Sequence, residues 1–491
     1  MLKRLIEACV SRRFAVLAFT AGIAAYGLRA YEDTPIEAYP DVTNYQINVI
    51  TKAPGLASEE VEKQVTLPLE RALNGTPEVI SMRSESLFGL SLIYLTFDDG
   101  ADVFRARARV AERVTGADLP AGISAELGPE ATPLGEIFQF RLASDRHTLQ
   151  QLRSELDWTI GPRFRQIPGV ADVVAFGGFV PEIHVEVDPA RLRAYDLTLG
   201  QVTDALARSN RNAGGGFLRH GDQELVVRSI GYLRSPRDLQ DVVLASRDGT
   251  PVTVGDVARL VLSGTPRRGD VGLNDIPEVV EGFVLLRRGE NPTRVLDAIH
   301  ATTEELDAKI LPAGMKIEPF YDRSTLVGKT LGTVHHNLLF GALLIFGVTW
   351  LFLRTIRGSL IVVAVIPISL LVALIGLHAI GLPANLISMG AIDFGILVDG
   401  AVILVEHVIH TARERRPHSR RDVLGLVGHA AFAVARPTFY SMAIIIAALI
   451  PVFTLERVEG RIFRPLALTY TFALLGALVL ALTLVPALCA L

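Results

Sequence analysis

An α-helical membrane protein with a large α+β insertion outside the lipid is the fold expected from this sequence. Half of the 491 residues are hydrophobic and 20% are charged; mean hydropathy is +0.37. A water-soluble chain of this size keeps a polar surface, so such an average places much of the chain in lipid. The apolar residues are also bunched, with one run near the N-terminus and five more after residue 336. Between them, residues 31–334 carry the mixed alternating and helical patterns of a soluble fold. Net charge is −4, so no basic excess points to nucleic acid. Cys9 and Cys489 stand at opposite ends and offer neither a disulfide framework nor a cysteine zinc site.

The first apolar run, residues 14–28, is flanked by Arg12, Arg13 and Arg29 and is short for a hydrocarbon core of ~30 Å. A basic start before an apolar stretch also describes a signal peptide. Leu28-Arg29-Ala30 is a poor small-residue cleavage site, so a retained membrane helix is expected. The other runs are residues 337–353, 359–382, 386–410, 438–455 and 466–491. Lys3, Arg4, Arg12 and Arg13 precede the first span. Arg354 and Arg357 follow the second, and Arg413, Arg415, Arg416, Arg420, Arg421 and Arg436 follow the fourth. The loop after the third span has no charge, and Arg457, Arg461 and Arg464 after the fifth are balanced in part by Glu456 and Glu459. The positive-inside rule puts the N-terminus in the cytoplasm and residues 31–334 outside it. Residues 420–435 suit an amphipathic helix on the inner leaflet, with Arg436-Pro437 opening the fifth span.

Outside the lipid, residues 45–51 alternate as a strand. Ser58 with Glu59 and Glu60 starts a helix that Asn74-Gly75 stops. Strands at 79–86 and 90–97 and a helix at 103–114 give the order β-α-β-β-α of a split βαβ sandwich. The pattern repeats with a strand at 137–142 and a helix at 149–164. Strands at 170–176 and 182–187 follow, then helix from 189 to 207, an internal duplication of topology. Residues 212–267, with the Gly214-Gly215-Gly216 turn, suit an inserted β subdomain. Residues 279–286 and 293–310 then complete the second sandwich.

The fourth span places Asp393, Asp399 and Glu406 in lipid. An ionised group there costs at least ~2.5 kcal/mol on insertion scales, so its presence marks function. At 100° per residue Asp399 and Glu406 are about 20° apart, on one face, and Asp393 lies roughly 120° from Asp399. Gly395 and Gly400 let another helix approach. Desolvated acids bind and release protons near neutral pH, which suits a proton or cation path. An intramembrane aspartyl protease needs facing aspartates from different helices; these share one helix and point apart. His184, Glu186 and Asp188 alternate along one strand face, a pattern more usual for a solvated side than for a metal site. His335-His336 stands at the outer end of the second span. Glu130 and Glu136 flank Pro133 between the two sandwiches, where a cleft is a candidate metal site.

The motif Asp393-Phe-Gly-Ile-Leu-Val-Asp-Gly-Ala-Val-Ile-Leu-Val-Glu406 resembles the fourth-helix signature of the heavy-metal efflux subfamily of resistance-nodulation-division (RND) transporters. Residues 167–178, 187–195, Pro54-Gly-Leu and Leu73-Asn-Gly75 resemble it too. Drug-exporting relatives carry two adjacent aspartates, whereas Gly400 follows Asp399 here. The resemblance covers essentially the whole chain and implies an RND half-repeat of one plus five transmembrane helices with ferredoxin-like porter subdomains. It implies proton-driven efflux of divalent heavy-metal cations across the inner membrane, with Asp393, Asp399 and Glu406 as the proton relay. The implied partners are a homotrimer, a periplasmic adaptor, an outer-membrane channel and the lipid bilayer. No cofactor is expected beyond the transported cation and protons, and no enzymatic activity.

The expected organisation is 1–30 (N-terminus and first helix), 31–127 (first porter subdomain), 128–211 with 268–334 (second porter subdomain), 212–267 (docking subdomain) and 335–491 (helices two to six). Family members are about twice as long, so the chain is expected to be the N-terminal half, with most metal-site residues in the other half. With five methionines in all, soft Cu(I) or Ag(I) is a poor match, and Zn, Co, Ni or Cd suits the carboxylates and histidines better. A non-transporting scaffold that binds an adaptor, and an RND drug exporter, are the competing readings.

Overall fold

The structure, a computed structural model, describes residues 2–37, 40–247, 249–265, 269–390, 394–415 and 419–491. The helix Leu2–Ser11 leads into the first span, Arg13–Asp33. Its 21 residues reach about 30 Å at 1.5 Å each, so the helix is long enough although its apolar run is short. A two-residue strand, β1 (Ile36–Glu37), follows.

The first external sheet contains β2 (Gln46–Lys52), β3 (Val79–Leu87), β4 (Leu90–Phe97) and β5 (Ala125–Leu127). All pairs are antiparallel, in the order β3-β4-β2-β5. Alternation sets the faces: β2 buries Ile47, Val49 and Thr51 and leaves the residues between them partly open. The helical stretch from Ser58 to Leu73 and the helix Val103–Thr115 complete this layer, and Val65, Leu69 and Val110 join the strand residues in one core. The Asp102 carboxylate caps the second helix by accepting from the Arg105 N–H at 3.1 Å.

The second sheet starts with β6 (Glu136–Ala143) and β7 (Val170–Phe176). An inserted unit intervenes, with β8 (Pro181–Val187), β9 (Ala213–His220), β10 (Gln223–Ser229), β11 (Val243–Arg247), β12 (Thr250–Thr253) and β13 (Ala258–Gly264). Then β14 (Val280–Leu286) and β15 (Lys316–Asp322) return to the sheet. Its order, β15-β6-β14-β7, places the fourth, first, third and second strands side by side, as in the first sheet read from its other edge. Phe138, Phe140, Phe164, Val284 and Ile299 form its core. The insert leaves and rejoins at one point: Gly177 has φ +69, and a Cβ there would lie 2.1 Å from the Val279 carbonyl oxygen.

One expected strand has a different partner. The strand at 182–187 forms, but it pairs with β13 and not with the second sheet. Its Val185 and Val187 pack with Leu192, Val202, Val254 and Val257 in a separate core. β8 and β13 thus share their pairing and a core with the inserted segment, apart from the second sheet. Within that segment, β9 and β10 form a hairpin whose residues are all exposed, Phe217 and Val226 among them.

Six helices among the described residues are long and apolar enough to cross a membrane. After the first come Arg323–Leu353, continuing directly from β15, and Ile356–Ala379. β16 (Ala384–Asn385) pairs in parallel with β1. Next come the short helix Leu386–Gly390, the fourth span Phe394–Arg415, the fifth Arg420–Ala448 and the sixth Arg457–Leu482. Residues 420–435 differ from expectation: they continue unbroken into the fifth span, with Pro437 inside the helix. Their apolar face does not meet the leaflet. Val427, Ala430 and Ala431 are buried in the membrane-domain core that includes Ile6 and Val10 of the N-terminal helix.

Candidate functional site

The fourth span has two unlike sides. Leu397, Val398, Ala401, Leu404, Val405 and Val408 are buried in the membrane-domain core. Gly395, Asp399, Ile403, Glu406 and His410 are exposed, following a helical stripe at intervals of three and four. Asp399 and Glu406 therefore share a face, as their spacing requires, and that face is left uncovered by the rest of this chain. Asp393 lies outside the described residues. Gly400 is on the buried side. A Cβ there would stand 2.8 Å from Thr438 Cγ2 and 3.2 Å from Met442 Cε, so its absence lets the fourth and fifth spans close up. The expected close approach exists at Gly400, about 100° round the helix from Asp399.

The other candidate residues are dispersed. Glu130 is half-buried and acts on Tyr45, whose pKa burial, and then the Glu130 charge, push up to about 12. Glu136 opens β6 and accepts from Gln139 Nε2 at 3.0 Å. Its charge adds to the burial that raises the pKa of Glu281 on the neighbouring strand. Among the described residues no group of three or more His, Cys, Asp or Glu side chains could hold a metal ion. Glu186 pairs with Arg259 across β8 and β13 at 2.7 Å, and Asp188 caps the following helix by accepting from the Ala190 N–H at 2.8 Å. His335 approaches the Tyr31 ring, and His336 stacks on Phe340.

A feature missed in the sequence lies where the external region meets the spans. A cavity of about 1300 Å³ is lined by Glu37, Asp41, Asp99, Arg323, Asn385 and Arg461, with residues of both external sheets and the outer ends of the spans. Arginines tie its walls together. Arg461, at the start of the sixth span, donates to the Val42 carbonyl at 2.8 Å and pairs with Asp99. Arg323 donates to the Leu134 carbonyl; away from the cavity, Arg294 pairs with Asp33 at 2.8 Å. Burial raises the Glu37 carboxyl to about 7; Asp41 adds to the shift and Arg323 opposes it. Arg461 was visible as loop charge, but its partners Val42 and Asp99 are distant in sequence.

Six helices long and apolar enough to cross a membrane, two sheets of matching strand order outside them and acids on one face of the fourth helix describe a membrane protein of duplicated α+β outer region. The AcrB/AcrD/AcrF family model matches residues 5–491, and the chain belongs to this family of RND transporters. It is 38% identical over 502 residues to Protein HelA of Legionella pneumophila, covering 99% of this chain and 47% of HelA. It is 36% identical over 503 residues to the cobalt-zinc-cadmium resistance protein CzcA of Cupriavidus metallidurans, again covering 99% and 47%. The X-ray crystal structure of a heavy metal efflux pump superposes with a TM-score of 0.90 at 41% identity, covering 98% of this chain and 48% of that one. The chain spans about half the length of the curated relatives it matches.

Proposed function

We propose that this chain supplies one of the two repeats of a proton-driven permease that exports divalent heavy-metal cations across the inner membrane. The observation that carries this reading is the uncovered face with Asp399 and Glu406 on the fourth span. A carboxylate facing hydrocarbon is costly, so this face calls for a protein or water-filled surface opposite it. The second repeat of the pump provides that surface and completes the relay, in which Asp393 takes part. Protons entering along this face drive cation export.

The N-terminus lies in the cytoplasm and the two sheets in the periplasm. The assembly is a homotrimer that works with a periplasmic adaptor and an outer-membrane channel. The inserted unit docks toward that channel, and the β9–β10 hairpin reaches a neighbouring protomer. Glu130 and Glu136 belong to the cation route, as two oxygen donors awaiting others from the second repeat. Zn, Co, Ni or Cd is the cargo class, in keeping with the name of CzcA and with the scarcity of methionine.

The test is metal efflux and proton flux in energised vesicles carrying the full-length pump. Asp399→Asn keeps size and hydrogen bonding but cannot change charge, so both fluxes should disappear at normal expression. Full transport by that variant removes the relay assignment, and resistance to copper and silver alone removes the cargo class.

A further inference from the structure

The cavity between the external sheets and the spans has a polar floor that no apolar packing accounts for. β1 and β16 set Glu37 opposite Asn385 in register, and both residues line the cavity. Asn385 is 1% exposed. Its Oδ1 accepts from the Ser388 N–H at 2.7 Å and so anchors the short helix that leads into the fourth span. That bond fixes which end of the amide is which. Nδ2 is buried and has no hydrogen-bond partner among the described residues. Folded proteins seldom leave such a donor unmet, because its desolvation is uncompensated; water or a ligand normally supplies the acceptor.

The chemistry narrows what can sit there. A donor N–H repels a metal cation, so this end of the cavity suits water or a carboxyl oxygen. The acid paired with Asn385 in register, and lining the same cavity, is Glu37; burial raises its pKa to about 7, where its charge changes within the ordinary pH range. The charged groups facing it are Asp41 from its own connection and Arg323 from the second span. The helix Pro292–Glu305, packed against β1, sends Arg294 to Asp33 instead. β16 carries no charge.

We propose that Glu37 and Asn385 form the proton-loading site at the outer mouth of the fourth span, with water held by the Asn385 amide passing protons from Glu37 toward Asp399. The step balances without another reactant. The Glu37 carboxylate and hydronium give the carboxylic acid and water; handing that proton on through water to the Asp399 carboxylate restores the Glu37 carboxylate and leaves Asp399 protonated. The proposal rests on the relay reading above and adds to it the group that takes up the external proton.

The experiment uses the full-length pump in proteoliposomes, with Zn²⁺ as cargo and a trapped pH dye, over a pH series on the external side. Glu37 is protonated below its pKa, so wild-type flux should fall as the external pH rises through about 7. Glu37→Gln should lower turnover about tenfold or more and erase that transition while leaving Zn²⁺ binding unchanged. Asn385→Asp keeps the oxygen that Ser388 needs but replaces the donor with a negative charge. Both changes raise the pKa of Glu37, so the transition should move to higher pH. Infrared difference spectra of the wild type should contain a carboxylic-acid band that titrates near neutrality, and Glu37→Gln should lack it. If Asp399→Asn is inactive but both cavity variants keep the wild-type rate and pH profile, the loading site is overturned and the relay stands. If Asp399→Asn transports normally, the relay reading falls first. Absence of the infrared band from the wild type overturns the Glu37 assignment independently of transport.

Discussion

Replacing Gly400 measures how tightly the back of the acid-bearing helix is packed. A Cβ at this position would lie 2.8 Å from Thr438 Cγ2, 3.2 Å from Met442 Cε and 3.6 Å from Ala481 Cβ. Carbon atoms rest at about 3.5–4.0 Å, so the Thr438 contact alone demands a shift of roughly 0.7 Å or more. Met442 can yield, because its methyl ends a flexible chain. Thr438 is β-branched and 4% exposed, with little rotamer freedom in a helix, so the fifth span has to move. Ala gains about 1 kcal/mol of helix propensity over Gly, whereas overpacking costs about 1–3 kcal/mol. Gly400→Ala should therefore lose up to about 2 kcal/mol. Gly400→Val, with two more methyl groups and less propensity gain, should lose about 3 kcal/mol or more. The assay is thermal unfolding of the detergent-solubilised protein, followed by tryptophan fluorescence and size exclusion. Gly347→Ala is the control, since nothing lies within 4 Å of a Cβ there, and it should be neutral or slightly stabilising. A Gly400→Val protein that melts with the wild type would refute the packing of the fourth span against the fifth.

Glu406→Gln should reduce proton-coupled export less than Asp399→Asn, because Glu406 lies nearer the arginine-bearing end of the helix Phe394–Arg415, where water reaches it; equal loss in the vesicle assay would contradict this. Arg461→Met keeps the length of the side chain but leaves the Val42 carbonyl without its donor and Asp99 without its partner. Asp99 is 45% exposed and therefore screened, so the loss should be about 1–2 kcal/mol. A double-mutant cycle with Asp99→Asn should return a coupling of about 1 kcal/mol, and zero coupling would make the pair incidental. Deleting residues 215–228 removes most of the exposed β9–β10 hairpin and nothing from the buried cores. It should weaken trimers while the thermal transition of each protomer persists, and a normal trimer on crosslinking would show that the hairpin is not needed.

Much of the external fold was legible because alternation names a strand and its buried face. Alternation does not name the partner. The strand at 182–187 has the same pattern whether it pairs with β7 or with β13, and only the burial of Val185 and Val187 with Leu192 and Val254 decides. Amphipathy has the same limit at residues 420–435, where an apolar stripe suits a leaflet as well as the protein surface that includes Ile6 and Val10. Proline also misled: Pro437 reads as a helix start, yet a long helix tolerates it with local bending. The face shared by Asp399 and Glu406 follows from helical geometry alone, and the structure places both acids together there. The Glu37–Asn385 floor had no sequence signal, since the two residues meet only through a two-residue parallel pairing between distant segments.

The arginines outside the membrane carry the last step. Arg457, Arg461 and Arg464 open the helix of the sixth span, at the end that the charge rule places outside, where positive charge is normally scarce. Arg461 spends its charge on Asp99 and the Val42 carbonyl, and Arg323 on the Leu134 carbonyl. They act as fasteners between the spans and the first and second sheets rather than as topology signals. The third link is β1–β16, which joins the chain after the first span to the residues just before the fourth. That pairing sets Asn385 beside Glu37 in register, at the head of the short helix Leu386–Gly390. Asp399 and Glu406 thus lie on the span whose leading segment is tied to the chain after the first span, while the second and sixth spans carry the arginine links to the external region.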